Sequence, residues 1–340
     1  YQEIGGNVER IPADGGRQVL LITNHVSEHY DAMYIGHMDT VFPDGTAEKR
    51  PFRIEGETYY GPGVGDMKNG DLAMFHIAAN LPETEKKCLN IAMVYNPDEE
   101  IGSIYSKEIT DRIGCKADHI FVMESAGKNG TRHCFARKGS LTYDIEFQGQ
   151  AAHAGFMFEV ENASAVLEMG HYIVELMSLA DRGKDTTVNV GIANGGTARN
   201  VVADHAKISV EMRFRDDSER IRLKEYVNKI TEGQPFVPGV KTTITMQKET
   251  PPFIKTEEAK KYIERVRKVA EEHGIPFEEK DRGGLSDANH LSRCGNAIVM
   301  DGMGPHGAND HSEKEYGYIG SVEPCVKLHL AILNDMLNKQ

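Results

Sequence analysis

The sequence predicts a two-domain α/β protein in which a smaller α+β unit interrupts a larger layered one. Three observations lead there. Short apolar runs alternate with helical segments over the first third of the chain. The middle third changes to strands and helices in the order β-α-β-β-α-β. The last third returns to the first pattern.

Taken in order, "VLLIT" (Val19 to Thr23) and "DAMYIGH" (Asp31 to His37) read as strands, and "DLAMFHIAANL" (Asp71 to Leu81) as a helix. "NIAMVY" (Asn90 to Tyr95) and "IFVMES" (Ile120 to Ser125) are short apolar runs, consistent with strands buried on both faces, with Glu124 ending the second of them. "KGSLTYDIEFQG" (Lys138 to Gly149) has the alternation of a strand. In the helix that follows (Asn162 to Leu179), Val166, Met169, Ile173 and Leu176 or Met177 share one face. Strands at Thr186 to Asn194 and His205 to Phe214, a helix at Ser218 to Ile230 and a strand at Val240 to Lys248 complete a ferredoxin-like unit. "ETPPF" (Glu249 to Phe253) reads as the return linker. An amphipathic helix (Thr256 to His273), a strand (Ala297 to Met300) and a final helix (about Val322 to Leu337) restore the α/β character. The expected domains are 1–137 with 250–340, and an insertion at 138–249.

Composition narrows the function. A net charge of −13 argues against a nucleic-acid binder or a basic membrane-surface protein. No apolar run reaches the roughly 20 residues that span a bilayer. The 5 cysteines form no C-x-x-C pair, so buried free thiols and a cytoplasmic, reducing compartment are expected. The chain begins at Tyr1 rather than Met, so an upstream piece, with or without a signal peptide, is expected to have been removed.

The polar groups that look misplaced sit at strand ends or in the loops after them. His37 and Asp39 follow the second strand, and Asp66 lies in the glycine-rich "GPGVGDMKNG". Asp98, Glu99 and Glu100 stand in a row in "NPDEEIG", Glu124 follows a further strand, and His311 lies in "NDHSEKEY". The carboxyl ends of strands are where ligands bind in an open α/β sheet. Pooled carboxylates repel and lose hydration unless cations compensate them. Imidazole nitrogen with carboxylate oxygen suits zinc and tolerates manganese or cobalt.

The phrases "GHMDTVFP", "GPGVGDMKNG", "PDEEIGS", "MESAG", "AHAG", "GGLSD" and "DHSEKEY" stand in the order found in the M20 family of dinuclear zinc peptidases. The chain most resembles the glutamate carboxypeptidase (carboxypeptidase G) branch over nearly its whole length. The resemblance implies a zinc-exopeptidase-like domain with a mixed central sheet flanked by helices, and an inserted domain that acts as lid and homodimer contact. It implies two Zn2+ ions (Co2+ or Mn2+ being possible), with His37 and Glu124 on one, Glu100 and His311 on the other, and Asp66 between them. It also implies that Asp39 holds the His37 imidazole, that Glu99 is the general base for the attacking water and then the acid, and that His153 reaches the partner subunit's active site to stabilise an oxyanion. By the same resemblance, Asn200 and Arg213 match substrate-contacting positions, and Gly283 and Gly284 lie in a loop that would line the substrate pocket.

In extended chain, successive side chains point opposite ways, so one dipeptide supplies both ligand (Glu100) and base (Glu99). Asp98 is expected to be solvated or to cap the following helix. The rival to His311 is His306 in "GPHGAND", expected to be a loop residue because its surroundings do not match the family phrase. The segment around "QKETPPF" lacks an arginine that this branch of the family carries before the proline; Lys248 is the candidate substitute, a point charge in place of a fork. The expected reaction is release of a C-terminal amino acid such as glutamate from a small peptide. The alternatives are an N-acyl-amino-acid deacylase of the acetylornithine deacetylase or succinyl-diaminopimelate desuccinylase type and an inactive metal-binding protein.

Overall fold

The structure is a computed structural model that describes residues 1–338. The chain forms two compact units, Tyr1–Arg137 together with Phe253–Gln340, and Lys138–Pro252.

The first unit opens with β1 (Asn7–Pro12), β2 (Gln18–Thr23) and β3 (Tyr30–His37), then α1 (Asn69–Ala79), β4 (Ile91–Asn96), α2 (Lys107–Gly114) and β5 (Ala117–Val122). The second unit supplies β6 (Gly139–Gln148), α3 (Ala165–Met177), β7 (Thr187–Gly195), β8 (His205–Phe214), α4 (Asp217–Glu232) and β9 (Lys241–Thr250). The first unit resumes with α5 (Glu257–Glu272), β10 (Ile298–Met300) and α6 (Val322–Leu337).

The six-stranded sheet of the first unit runs β1-β2-β4-β3-β5-β10. β1 and β2 are antiparallel, as are β2 and β4, whereas β4, β3, β5 and β10 are parallel. The apolar runs divide between two cores because successive side chains face opposite ways. Ala32, Tyr34, Ile91, Met93 and Phe121 enter one core with α1, α5 and α6. Met33, Ile35, Ala92, Val94, Ile120 and Val122 enter the other with Ile113 of α2. Truncating the fully buried Phe121 to Ala is expected to cost roughly 3–5 kcal/mol. α5 buries Ala259, Tyr262, Ile263, Val266, Val269 and Ala270, the three-and-four spacing of one helical face. Its N-cap Thr256 accepts the N–H of Ala259 at 3.1 Å.

β5 ends at Val122, so Glu124 lies beyond the strand and not at its end as its sequence suggests. The Met123 N–H still donates to Ile35 (2.8 Å), but next the carbonyl of Glu124 turns to Gly304 N (2.9 Å), out of the β3 ladder.

The second unit is a four-stranded antiparallel sheet ordered β7-β8-β6-β9. Leu141, Tyr143, Ile145 and Phe147 of β6 alternate into its core with Ile208, Val210, Met212 and Phe214 of β8. β9 continues to Thr250, so Glu249 and Thr250 are strand residues and not linker. The buried stripe of α3 is Ala165, Glu168, Tyr172 and Leu176, while Val166 and Met177 are exposed. Met169 and Ile173 pack against the same core beside Leu176, so the expected face holds apart from Val166 and Met177. Hydrophobic counting did not include its two polar members, which are buried with partners. Glu168 accepts from the N–H of Phe236 and Val237, and the Tyr172 hydroxyl donates to Ile230 O at 3.1 Å.

Candidate active site

Because β4, β3 and β5 are parallel neighbours, their carboxyl ends meet along one sheet edge. His37 is the last residue of β3, the Glu99–Glu100 turn follows β4, and Glu124 follows β5. Asp66 arrives from the wide turn Val64–Lys68 before α1. His311 arrives from the segment between Gly307–Ala308 and Tyr316–Tyr318, which pair with each other. Tyr316–Tyr318 pairs in turn with Thr58–Tyr60, just before the glycine loop, so Asp66 and His311 are brought together by a small sheet of their own.

The Asp66 carboxylate stands between two imidazoles. Oδ1 is 3.1 Å from Nε2 of His37, and Oδ2 is 3.0 Å from Nε2 of His311. Glu124 Oε1 lies 3.6 Å from the same nitrogen of His37, and Glu100 Oε2 lies 3.2 Å from that of His311. Donor atoms of His37, Asp66 and Glu100 lie within 4.8 Å of one another, as do those of His37, Glu99 and Glu124. His311 is open to solvent and His37 is 1% exposed. The five sequence-predicted metal ligands are thus adjacent, with Glu99 among them.

Protonation reflects this crowding. Burial works against the His37 imidazolium, but Asp39, Asp66 and Glu124 outweigh it and hold the group well above its usual range. Burial and the neighbouring Glu124 and Asp287 push Glu99 well above the ordinary carboxylate. Burial and Asp66 lift Glu100 to about 7, and the same two causes raise Glu124. Acids that retain protons this way are short of positive charge. Glu100 also has a buried oxygen, Oε1, with no hydrogen-bond partner. A carboxylate and imidazole donor set with an orphaned oxygen fits divalent cations of the zinc type.

Two features differ from expectation. Glu99–Ile101 is a turn of tight 3-10 helix and not extended chain, so the two glutamates diverge by helical rotation. Asp98 is not solvated. It is 1% exposed, and its Oδ2 accepts the N–H of Tyr105 at 2.7 Å, at the approach to α2. Asp39 does more than touch His37. Nδ1 of His37 is 3.1 Å from the Asp39 carbonyl and 3.4 Å from Oδ1, and the carboxylate also accepts the backbone N–H of Glu99 (3.1 Å) and Glu100 (3.0 Å).

Glu315 carried no separate signal, although it stands inside the quoted "DHSEKEY". It is 1% exposed. It accepts N–H from Gly63 (2.8 Å), Gly65 (2.8 Å) and Asp66 (3.0 Å), tying the Asp66 loop to the His311 segment. Asp71 was also missed. Burial raises its carboxyl to about 8, and its Oδ1 has no hydrogen-bond partner. His306 is buried and structural, with Nδ1 3.0 Å from Ala126 O. Gly283 and Gly284 lie exposed in the first unit, before the buried Asp287.

The other predicted residues belong to the second unit. His153 is exposed and caps its own turn, Nδ1 accepting from Gly155 N at 3.1 Å. Asn200 is its neighbour there, its carbonyl accepting from Ala154 N at 2.9 Å. Arg213 sits apart on the polar face of β8, with Nη2 donating to Glu211 Oε1 at 2.8 Å.

The fold and the donor set define a hydrolytic enzyme of the metal-binding kind, with acids and imidazoles gathered at the carboxyl edge of a mixed sheet. The chain belongs to peptidase family M20/M25/M40, whose model matches residues 33–335. It is 25% identical over 338 residues to carboxypeptidase G2 of a Pseudomonas species, covering 98% of this chain and 77% of that protein. It is 24% identical over 323 residues to a succinyl-diaminopimelate desuccinylase of Halorhodospira halophila, covering 89% of this chain and 82% of that one. The crystal structure of aminopeptidase PepT from Bacillus cereus superposes with a TM-score of 0.76 at 22% identity, covering 99% of this chain and 90% of that one, and shows the shared fold. No helix among the described residues is long and apolar enough to cross a membrane.

Proposed function

We propose that this enzyme hydrolyses an amide bond in a short peptide, releasing a C-terminal amino acid such as glutamate. The observation that carries this reading is the Asp66 carboxylate, with one oxygen toward His37 and the other toward His311. A carboxylate so placed would be shared between two cations when they bind. His37 and Glu124 would hold one ion, Glu100 and His311 the other, with zinc the first candidate. Bound divalent ions would polarise the scissile carbonyl and lower the pKa of water.

The chain's own residues do the rest. Glu99 takes the proton of the attacking water and returns it to the leaving nitrogen, a task suited to a carboxyl whose surroundings favour the protonated form. Asp39 fixes the His37 ring and the turn that carries Glu99. Gly283 and Gly284 would leave room for a substrate backbone; in the inserted unit, Asn200 and Arg213 would contact substrate and His153 would stabilise an oxyanion in the partner subunit's active site. Arg213 offers a fork for a substrate carboxylate. The unit would also make a homodimer with a second copy. In support, β7 is an outer strand of its sheet, and Leu167 and Val174 of α3 and Ile192 of β7 are exposed.

Deacylation of an N-acyl amino acid is the second reading, favoured by the likeness to a desuccinylase. A hydrolysis panel of dipeptides, folyl-type glutamates and N-acyl amino acids separates the two. Release of free glutamate selects the carboxypeptidase, and cleavage of acetyl or succinyl amides alone selects the deacylase. In either case Glu99→Gln should lower turnover by roughly 10²- to 10⁴-fold while metal content is kept. Unchanged turnover would remove Glu99 from the mechanism.

A further inference from the structure

A chain of buried hydrogen bonds runs from α2 to the turn that carries Glu99 and Glu100. At its outer end, Asp111 Oδ1 lies 2.6 Å from Nδ1 of His290. The other ring nitrogen, Nε2, lies 3.0 Å from Asp287 Oδ1. Ionised carboxylates accept hydrogen bonds and do not donate them, so both ring nitrogens carry a proton and His290 is an imidazolium. A cation held between two acids makes an ionised, buried Asp287 tolerable, since its charge is paired and hydrogen-bonded.

Asp287 is 3% exposed and spends its remaining acceptor capacity on the catalytic turn. Oδ1 receives the Ser103 hydroxyl at 2.6 Å, and Oδ2 receives Nδ2 of Asn96 at 2.8 Å. Asn96 is the last residue of β4 and Ser103 closes the turn, so one carboxylate grips both ends of the segment that contains Glu99 and Glu100. The ends are also tied to each other, Asn96 Nδ2 donating to Ser103 Oγ at 2.9 Å and Ser103 N–H to Asp98 O at 2.7 Å. Ser103 holds a φ of 55°, a left-handed conformation that glycine adopts more readily than serine. The turn keeps a side chain there, and its hydroxyl reaches Asp287.

We propose that Asp287, held in place by His290, is a positioning residue for Glu99. It fixes the span between Asn96 and Ser103 and so the point from which the Glu99 carboxyl meets the reacting atoms. This rests on the reading of Glu99 as the proton carrier. Asp39 clamps the turn by its amides from one side, and Asp287 clamps its two ends from the other. Misplacing a reacting group by about 1 Å costs up to about 10²-fold in rate, so loss of either clamp should be read in turnover.

The test uses Ser103→Gly, Asp287→Asn and Glu99→Gln in the full chain loaded with zinc, on the panel substrate that the wild type turns over fastest. The expected result for Ser103→Gly and Asp287→Asn is a kcat reduced roughly 10- to 100-fold with KM changed by less than about twofold. Metal content should match the wild type, and the melting temperature of Ser103→Gly should be preserved, because glycine accepts the backbone angle. If Asp287→Asn does not fold, Ser103→Gly decides the matter alone. Wild-type kcat in Ser103→Gly, or a loss confined to KM or to metal content, overturns the proposal while Glu99→Gln stays inactive. An active Glu99→Gln removes the reading of Glu99 itself.

Discussion

The carboxylate of Asp39 accepts the backbone N–H of Glu100 at 3.0 Å, and its other oxygen accepts that of Glu99 at 3.1 Å. A single acid thus sets where one candidate ligand and the candidate base begin. Asp39→Ala frees both amides and one side of the His37 ring. It should weaken metal binding and lower kcat by roughly 10- to 100-fold each. Zinc titration by calorimetry and steady-state kinetics on the loaded variant check the two effects separately.

Glu315 gathers three N–H groups of the loop that presents Asp66. In Glu315→Gln the remaining carbonyl oxygen replaces Oε1, and the new amide group faces the Gly63 N–H as donor against donor. The expected destabilisation is about 1–3 kcal/mol. Chemical denaturation measures it, and a parallel zinc titration should show weaker binding because Asp66 is no longer held.

Gly70, in the first turn of α1, packs so closely that a Cβ there would collide with the carbonyl oxygen of Met123. Gly304 approaches the same atom from another segment. The residue before Glu124 is therefore wedged between two glycines. Gly70→Ala should push that segment away and cost about 3 kcal/mol or more. A lower melting temperature with partial loss of bound metal is expected, and wild-type values for both would show that the wedge yields freely.

His290 gives stability a dependence on pH. Burial opposes its charge, but the hydrogen bonds it donates to the carboxylates of Asp111 and Asp287 outweigh burial and raise it from an ordinary 6.5 to about 9. A raised histidine stabilises the fold fully below its unfolded value, and the gain is lost as pH climbs through the folded value. The chain should therefore lose about 3 kcal/mol between pH 6.5 and a little above 9. His290→Gln should start lower and show a flatter profile over that window in denaturant titrations.

The sequence made the central strands legible because β3, β4 and β5 are apolar on both faces, which leaves a run and not a pattern to interpret. The site residues were legible as polar groups placed after those runs. The conformation of the Glu99–Glu100 turn was not, since nothing in the dipeptide distinguishes a helical turn from extended chain. The same limit hid Glu315 and Asp287. A buried carboxylate that serves distant N–H and hydroxyl groups looks like any surface acid until the chain is folded. On α3 the core-facing Met169, Ile173 and Leu176 were legible, but Glu168 and Tyr172 were not, because they are buried by virtue of partners near Ile230 and Val237.

On the proposed reading, the Asp66 carboxylate, with one oxygen toward His37 and the other toward His311, would serve two cation sites. Elemental analysis of zinc-loaded, dialysed protein decides this. The expected content is about two ions per chain in the wild type, about one in His311→Ala and close to none in Asp66→Ala. Stoichiometric zinc that survives Asp66→Ala, or a wild type that retains no metal at all, would rule out the paired-cation site.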